Sequence, residues 1–319
     1  MRGIAVAGSI LVDRINEISS YPNRSELTKI LGISLATGGL VPNVAIDLKE
    51  LDKNLPVYAL GRVGKDADGD FAIKALTSHG VDATGVVRVD ERTSFTEVMS
   101  EIGGQRTFFT YPGASAEFGA PDVNLDPERI SMLHLGYFLL LDRVDRGDGE
   151  VILKRASELG IKTSIDLVSE NSDRYSILVP VLKYVDNLII NELEAGKIVG
   201  LVPTLENIPE IMKRLMALGV RERVIIHMTE RAYSLSKDGL TTLPSFDLPK
   251  GFIKGTTGAG DAFSAGALLG IYRGVSDREI LEMGSIAALG ALSCPDAVSG
   301  MKSLSSLTEL SHSFARRAN

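Results

Sequence analysis

One short run, Gly255-Thr256-Thr257-Gly258-Ala259-Gly260-Asp261-Ala262-Phe263, holds the residue types in this chain best suited to chemistry. Glycines let successive backbone N–H groups turn toward a common point. The apolar stretch that follows, through Ala265, Ala267, Leu268 and Leu269, reads as a helix that Gly274 is placed to stop. The unpaired amides of a helix's first turn add partial positive charge, so loop and helix start form an anion site from backbone alone. Asp261 stands beside it. A carboxylate repels an anion unless it has another task, and the task that suits it is taking a proton from an attacking hydroxyl. The spacing fits equally a plain helix start with an aspartate favoured by the dipole. This stretch alone leaves both readings open.

Competing motifs fail on particular residues. Gly255 to Gly260 imitates the P-loop spacing, but Asp261 and Ala262 occupy the places of its Lys and Ser/Thr. A dinucleotide fingerprint needs a third glycine where Phe263 stands, and it belongs after a first strand. Ala262 to Gly266 lacks the first glycine of a nucleophile elbow and lies inside the helix. His79, His134, His227 and His312 have no metal-binding spacing and read as surface or packed residues.

A second group lies further upstream. Ile4 to Val12 reads as a buried first strand that delivers Asp13 to its carboxyl end, where open α/β sheets bind ligands. Asp13 could instead simply end the strand. Gly38-Gly39 opens another helix, with Pro42 in its first turn and Asn43 able both to donate and to accept hydrogen bonds. A small hydroxylated ligand could approach that backbone, or the segment could be an ordinary helix start. Asn191 and Glu194 follow the strand Val185 to Ile190 and share a helix face. An amide and a carboxylate so placed suit a hydrated magnesium ion, and they also have the spacing of an N-cap and its capping-box partner.

The elements that must position these groups alternate. Strands are expected at Leu55 to Leu60, Met132 to Leu141, Ile161 to Leu167, Val185 to Ile190 and Val224 to His227. Helices are expected at Gly69 to His79, Gly149 to Leu159, Ile177 to Tyr184 and Glu279 to Ser293, and a hairpin turning at Asp238-Gly239. Such alternation means βαβ units and a largely parallel sheet. Two stretches differ in texture: the polar segment Arg14 to Ala36, and Glu91 to Tyr111, with short β segments split by Gly103-Gly104. Together they read as a small antiparallel sheet, a lid separate from the main core.

Composition narrows the partners. With 319 residues, 44% hydrophobic and 24% charged, the chain can bury one large α/β core. A net charge of −7 argues against nucleic acid or an anionic membrane as main partner, so an anionic ligand must be held by local amides, a metal ion or a few cations. The single cysteine, Cys294, excludes an intrachain disulfide and favours a cytoplasmic setting. No targeting segment or apolar run of membrane-spanning length is read.

Order and spacing together make the fragments specific. Gly8 to Asp13, Gly38-Gly39 with Asn43-Val44-Ala45, Gly61-x-Val63-Gly64-x-Asp66 with Gly69, Asn191-x-x-Glu194 and Gly258-Ala259-Gly260-Asp261 resemble the ribokinase-like (PfkB-type) carbohydrate kinases over nearly the whole chain. The resemblance implies a three-layer α/β/α sandwich with a mainly parallel central sheet and a small β-sheet lid, in one domain spanning 1–319, with the lid at about 14–36 and 91–111. It implies ATP with Mg2+, and transfer of the γ-phosphate to a hydroxymethyl group of a small sugar. By position, Asp261 matches the general base, the amides of Gly258, Ala259, Gly260 and Asp261 the anion hole, and Asp13, Gly38, Gly39 and Asn43 the sugar site. Asn191 and Glu194 match the pair that orders magnesium through water; Asn191, Thr229, Thr257, Gly258, Gly260 and Ser285 fall to the nucleotide site. The family's lid also commonly serves in homodimer contacts. Two departures stand out. Gly255 replaces an Asp that belongs to a monovalent-cation site in potassium-activated members, so weak or absent potassium activation is expected. The turn after Val224 to His227 reads Thr229-Glu230-Arg231-Ala232 instead of carrying a glycine. A nucleoside kinase of the same architecture and a non-catalytic sugar or nucleotide sensor are the alternatives, and Tyr21, Phe95, Phe108 and Phe109 are the aromatics that could face a base.

Overall fold

Side chains of the first strand, Gly3–Ala7 (β1), alternate between two hydrophobic layers. Ile4 and Val6 pack into one cluster, while Ala5 and Ala7 pack into the other. The two-residue period of a strand requires this when both faces of a sheet are covered. Ile189 and Ile225 against Leu188, Ile190, Val224 and Ile226 repeat the division further along the sheet. The protein is therefore three layers deep. The structure is a computed structural model and describes residues 1–101 and 106–318.

After β1 the chain builds Leu11–Ile18 (β2) and Ile30–Gly38 (β3), then Leu40–Leu51 (α1), Val57–Gly64 (β4), Ala67–Ser78 (α2) and Asp82–Val89 (β5). Ser94–Glu101 (β6), Arg106–Tyr111 (β7) and the single turn Gly113–Ala116 (α3) precede Ile130–Phe138 (β8). Gly149–Glu158 (α4), Lys162–Leu167 (β9), Val179–Leu182 (α5), Asn187–Asn191 (β10), Glu192–Val199 (α6), Ile208–Ala217 (α7) and Arg223–His227 (β11) continue the alternation. The hairpin Arg231–Ser236 (β12) and Gly239–Pro244 (β13) leads to Ala259–Arg273 (α8), Asp277–Leu292 (α9) and Leu304–Ser311 (α10).

The main sheet has nine strands in the order β13-β12-β11-β10-β9-β8-β1-β4-β5, parallel from β11 to β5 and antiparallel at the β12 and β13 edge. Strand order reverses beside β1, which has β4 on one side and β8 on the other, so a crevice opens there at the carboxyl ends. A four-stranded sheet, β3-β2-β6-β7, forms the lid. Its outer pairs are antiparallel, and its central pair, β2 with β6, is parallel. The expected Gly103-Gly104 turn lies outside the described residues.

The first strand is shorter than the sequence suggests. It ends at Ala7, Gly8 turns with φ of 148°, and Asp13 lies within β2 of the lid. The cause is Ser9, whose Oγ accepts from the Leu40 amide at 3.1 Å while its carbonyl accepts from Val41 at 3.1 Å. These bonds satisfy the first turn of α1, and they pull the backbone off the sheet between β1 and β2. The lid accordingly runs from Leu11 to Gly38 and from Ser94 to Tyr111. Strand β5 and helices α7 and α10 are additional to the elements expected from the sequence. Among the described residues no helix is long and apolar enough to cross a membrane.

Candidate active site

Helix α8 begins where the backbone can turn and nothing larger than glycine fits. Gly258 has φ of 77°, and a Cβ there would fall 2.5 Å from that of Ala297. The amides of Gly258, Gly260 and Asp261 make no hydrogen bond among the described residues, whereas that of Ala259 donates to the Thr256 carbonyl at 3.3 Å. The expected cradle thus has three free N–H groups, and the fourth is occupied.

Asp261 is 8% exposed. Its Oδ2 accepts from Asn43 Nδ2 at 2.7 Å and from the Tyr137 hydroxyl at 2.9 Å; Oδ1 receives only the longer branch from Tyr137, at 3.2 Å. Burial, and then the charge of Asp166, push its pKa up to about 7, opposed by the Asn43 and Tyr137 hydrogen bonds. Behind it in α1, Asp47 is fully buried and neither of its oxygens finds a partner among the described residues. Burial pushes that carboxyl well above its ordinary range, and the charge of Asp261 adds to the effect.

Asp261, Gly258, Gly260, Asn191 and Glu194 line one cavity of 170 Å³, with Tyr137, Asp166, Ser169 and His227. Asn191 and Glu194 do form a capping box: Asn191 Oδ1 accepts from the Glu194 amide at 2.9 Å, and Glu194 Oε2 accepts from the Asn191 amide at 3.0 Å. Ser169 ties the pair together, donating to Glu194 Oε1 at 2.8 Å and accepting from Asn191 Nδ2 at 2.8 Å. Burial nevertheless pushes Glu194 up to about 7. A buried carboxylate without a cation, facing Asp166 across a small polar cavity, is a donor set that suits a hydrated divalent ion. Among the described residues no three acidic, His or Cys side chains cluster as direct metal ligands.

Thr229 and Ser285 line a second cavity of 320 Å³ with Thr256, Ala259, Gly260 and a largely apolar wall that includes Phe246, Ile253 and Leu289. His227 and Gly260 are common to both cavities. His227 is held at about 4 by burial, so its ring is a neutral wall. Asp13 and Thr257 meet in a third, narrow space of 30 Å³ under the lid, with Arg106, Phe108 and Asp296. Burial raises Asp13 to about 6, against a Thr96 hydrogen bond and the Arg106 charge. Gly38 packs against it, since a Cβ at Gly38 would lie 2.6 Å from an Asp13 oxygen. Gly39, with φ of 85°, is the N-cap of α1, and Asn43 one turn on links this end of the groove to Asp261. The expected residues are thus divided: Asp261, Gly258, Gly260, Asn191 and Glu194 line the first cavity, Thr229, Ser285, Ala259 and Gly260 the second, and Asp13 and Thr257 the third, while Gly38, Gly39 and Asn43 line none of the three. Tyr137, Asp166 and His227 are additions; their common signal is position at the carboxyl ends of β8, β9 and β11.

A nine-stranded sheet with a β lid over a groove at its carboxyl edge is the ribokinase-like fold. The sequence matches the pfkB family carbohydrate kinases over residues 1–303, and the chain belongs to that family. It is an ATP-dependent, magnesium-using phosphotransferase of the ribokinase type, acting on sugar hydroxyls. A ribokinase of Arabidopsis thaliana is 26% identical over 96% of this chain and 80% of its own length. A deoxyribokinase of Salmonella typhi is 24% identical over 82% of each chain. Among solved structures, Arabidopsis thaliana ribokinase complexed with ribose and ATP superposes with a TM-score of 0.82 at 23% identity, covering 98% of this chain and 99% of that one. A nucleoside kinase of Methanocaldococcus jannaschii superposes with a TM-score of 0.78 at 18% identity, covering 98% and 99%.

Proposed function

We propose that this chain phosphorylates a hydroxymethyl group of a small sugar, with Asp261 as the general base. The observation that carries the reading is the Asp261 carboxylate, buried at the start of α8 beside three unspent amides and poised near neutrality. The acceptor's O–H gives its proton to Asp261 as its oxygen bonds to the γ-phosphorus, and the bond to the β–γ bridging oxygen breaks to release ADP. The amides of Gly258, Gly260 and Asp261 oppose the charge on the transferring group, which needs electrostatic support more than covalent help. Asp13, Gly38, Gly39 and Asn43 hold the sugar hydroxyls, and the cavity with Thr229 and Ser285 takes the nucleoside end of ATP. Glu194 and Asn191 would hold magnesium through its waters, and the ion would supply charge neutralisation on the phosphates. The lid excludes water that would otherwise accept the phosphoryl group.

One observation favours a nucleoside as acceptor. Of the four aromatics considered for stacking a base, Phe108 lines the space beside Asp13. Phe95 is already stacked on Tyr111 with Arg14 over its face. The lid also turns an apolar outer face to solvent, with Ile33 72% and Phe109 59% exposed. That supports self-association through the lid.

An ADP-release assay across sugars and nucleosides tests the activity: turnover on a sugar supports the leading reading, turnover on nucleosides alone the second, and none on either a sensor. Asp261→Asn is expected to keep ATP binding and to lose at least about 10²-fold in turnover. Near-normal turnover in that variant would remove Asp261 from the role.

A further inference from the structure

The phenol of Tyr137 touches both oxygens of the Asp261 carboxylate, and three features hold it there. Its own backbone is in the left-handed region, φ 59°, unusual for an aromatic residue and costly unless the surroundings impose it. Its amide donates to Asp166 Oδ1 at 2.8 Å. The preceding Gly136 permits the approach, because a Cβ there would lie 2.4 Å from both that same oxygen and a Leu40 methyl. Strained backbone maintained by a neighbour's carboxylate marks a side chain that is placed rather than merely packed.

We propose that Tyr137 is the positioning residue for the base: with Asn43 it clamps Asp261 Oδ2, keeps the carboxylate ionised and oriented, and leaves Oδ1 as the oxygen that receives the acceptor's proton. This rests on the reading of Asp261 given above. The asymmetry of the bonds supports it, since Oδ2 takes the two short contacts, at 2.7 and 2.9 Å, and Oδ1 only the branch at 3.2 Å. The surroundings leave this duty to neutral donors. Toward Asp261 α1 brings Asn43 and Asp47, whose carboxyl burial pushes upward, β9 brings Asp166, β11 the neutral His227, and α6 Glu194 from across the cavity. Among the described residues no lysine or arginine lines that cavity. Without a cation, each hydrogen bond to the charged form weighs heavily on its protonation.

The test labels aspartate carboxyls with carbon-13, assigns Asp261 by its loss in Asp261→Asn, and follows its titration without ligands. Tyr137→Phe is expected to move that titration upward by about one pH unit or more, because a hydrogen bond to a charged group is lost. The acidic limb of kcat/KM should move upward with it. Site-specific 3,5-difluorotyrosine at position 137 preserves the shape, donates more strongly and should move the titration down, which covers a Phe variant that folds poorly. An unmoved Asp261 titration in both variants, or a lowered plateau with an unchanged pH profile, overturns the proposal. If the wild-type protein phosphorylates no acceptor while the titration still shifts, the kinase reading falls and the effect of Tyr137 on Asp261 stands.

Discussion

At the scale of single residues, Gly255 stands where the family resemblance leads one to expect an aspartate. A side chain there has no room: a Cβ would lie 2.9 Å from the Pro295 carbonyl oxygen and 3.1 Å from that of Cys294. The loop after α9 thus packs its carbonyl oxygens against Gly255. We predict that replacing sodium or choline by potassium leaves the phosphorylation rate nearly unchanged; a large gain with potassium would contradict this. Gly255, like Asp261, is readable in sequence because the motif around it is contiguous. Tyr137 and Asp166 are not, since they reach Asp261 only through the adjacency of β8 and β9, and neighbouring residues give no sign of it. His227 is hidden for the same reason. Its value lies in bordering two cavities, which residue type does not reveal.

At the scale of elements, the start of α6 carries two duties that spacing alone could not separate. The Asn191 and Glu194 capping box is formed, so the pair supports the helix whether or not an ion is near. Glu194→Gln divides the duties, because glutamine serves equally in a capping box but brings no charge. The variant should keep its thermal stability within about 0.5 kcal/mol, as expected of a change that preserves the cap, and should need more magnesium for half-maximal rate. Unchanged magnesium dependence would leave the cap as the whole role of Glu194. Element boundaries were clear where glycine or a cap punctuates the chain, as at Gly274 after α8 and at the β12–β13 turn. They were hidden where a tertiary bond decides. The run from Ile4 to Val12 is mostly apolar, yet it is divided because Ser9 is needed by α1, whose Leu40 lies 31 residues later in the chain. The parallel pairing of β2 with β6 is hidden likewise, since hairpin signals describe only neighbours in sequence.

At the scale of the whole molecule, the alternation of strands and helices sufficed to expect a parallel sheet, because few topologies accept it. The lid's outer face is the surface on which an expectation of self-association rests. Leu31, Ile33 and Leu35 on β3 and Phe109 on β7 are all exposed by half or more. We predict that light scattering after gel filtration gives twice the chain mass, and that Ile33→Glu gives a single chain mass with the fold intact; a monomeric wild type would refute this. The wall shared by the two larger cavities has a consequence for inhibition. Since His227 and Gly260 border both spaces, whatever fills one ends where the other begins. An adenosine polyphosphate tethered to a polyol would span them as a single guest, with its adenosine in the larger space, its phosphates in the smaller and the polyol carried on toward Asp13. It would surrender its freedom to tumble once where two separate ligands surrender theirs twice, and so would act as a bisubstrate inhibitor stronger than either half.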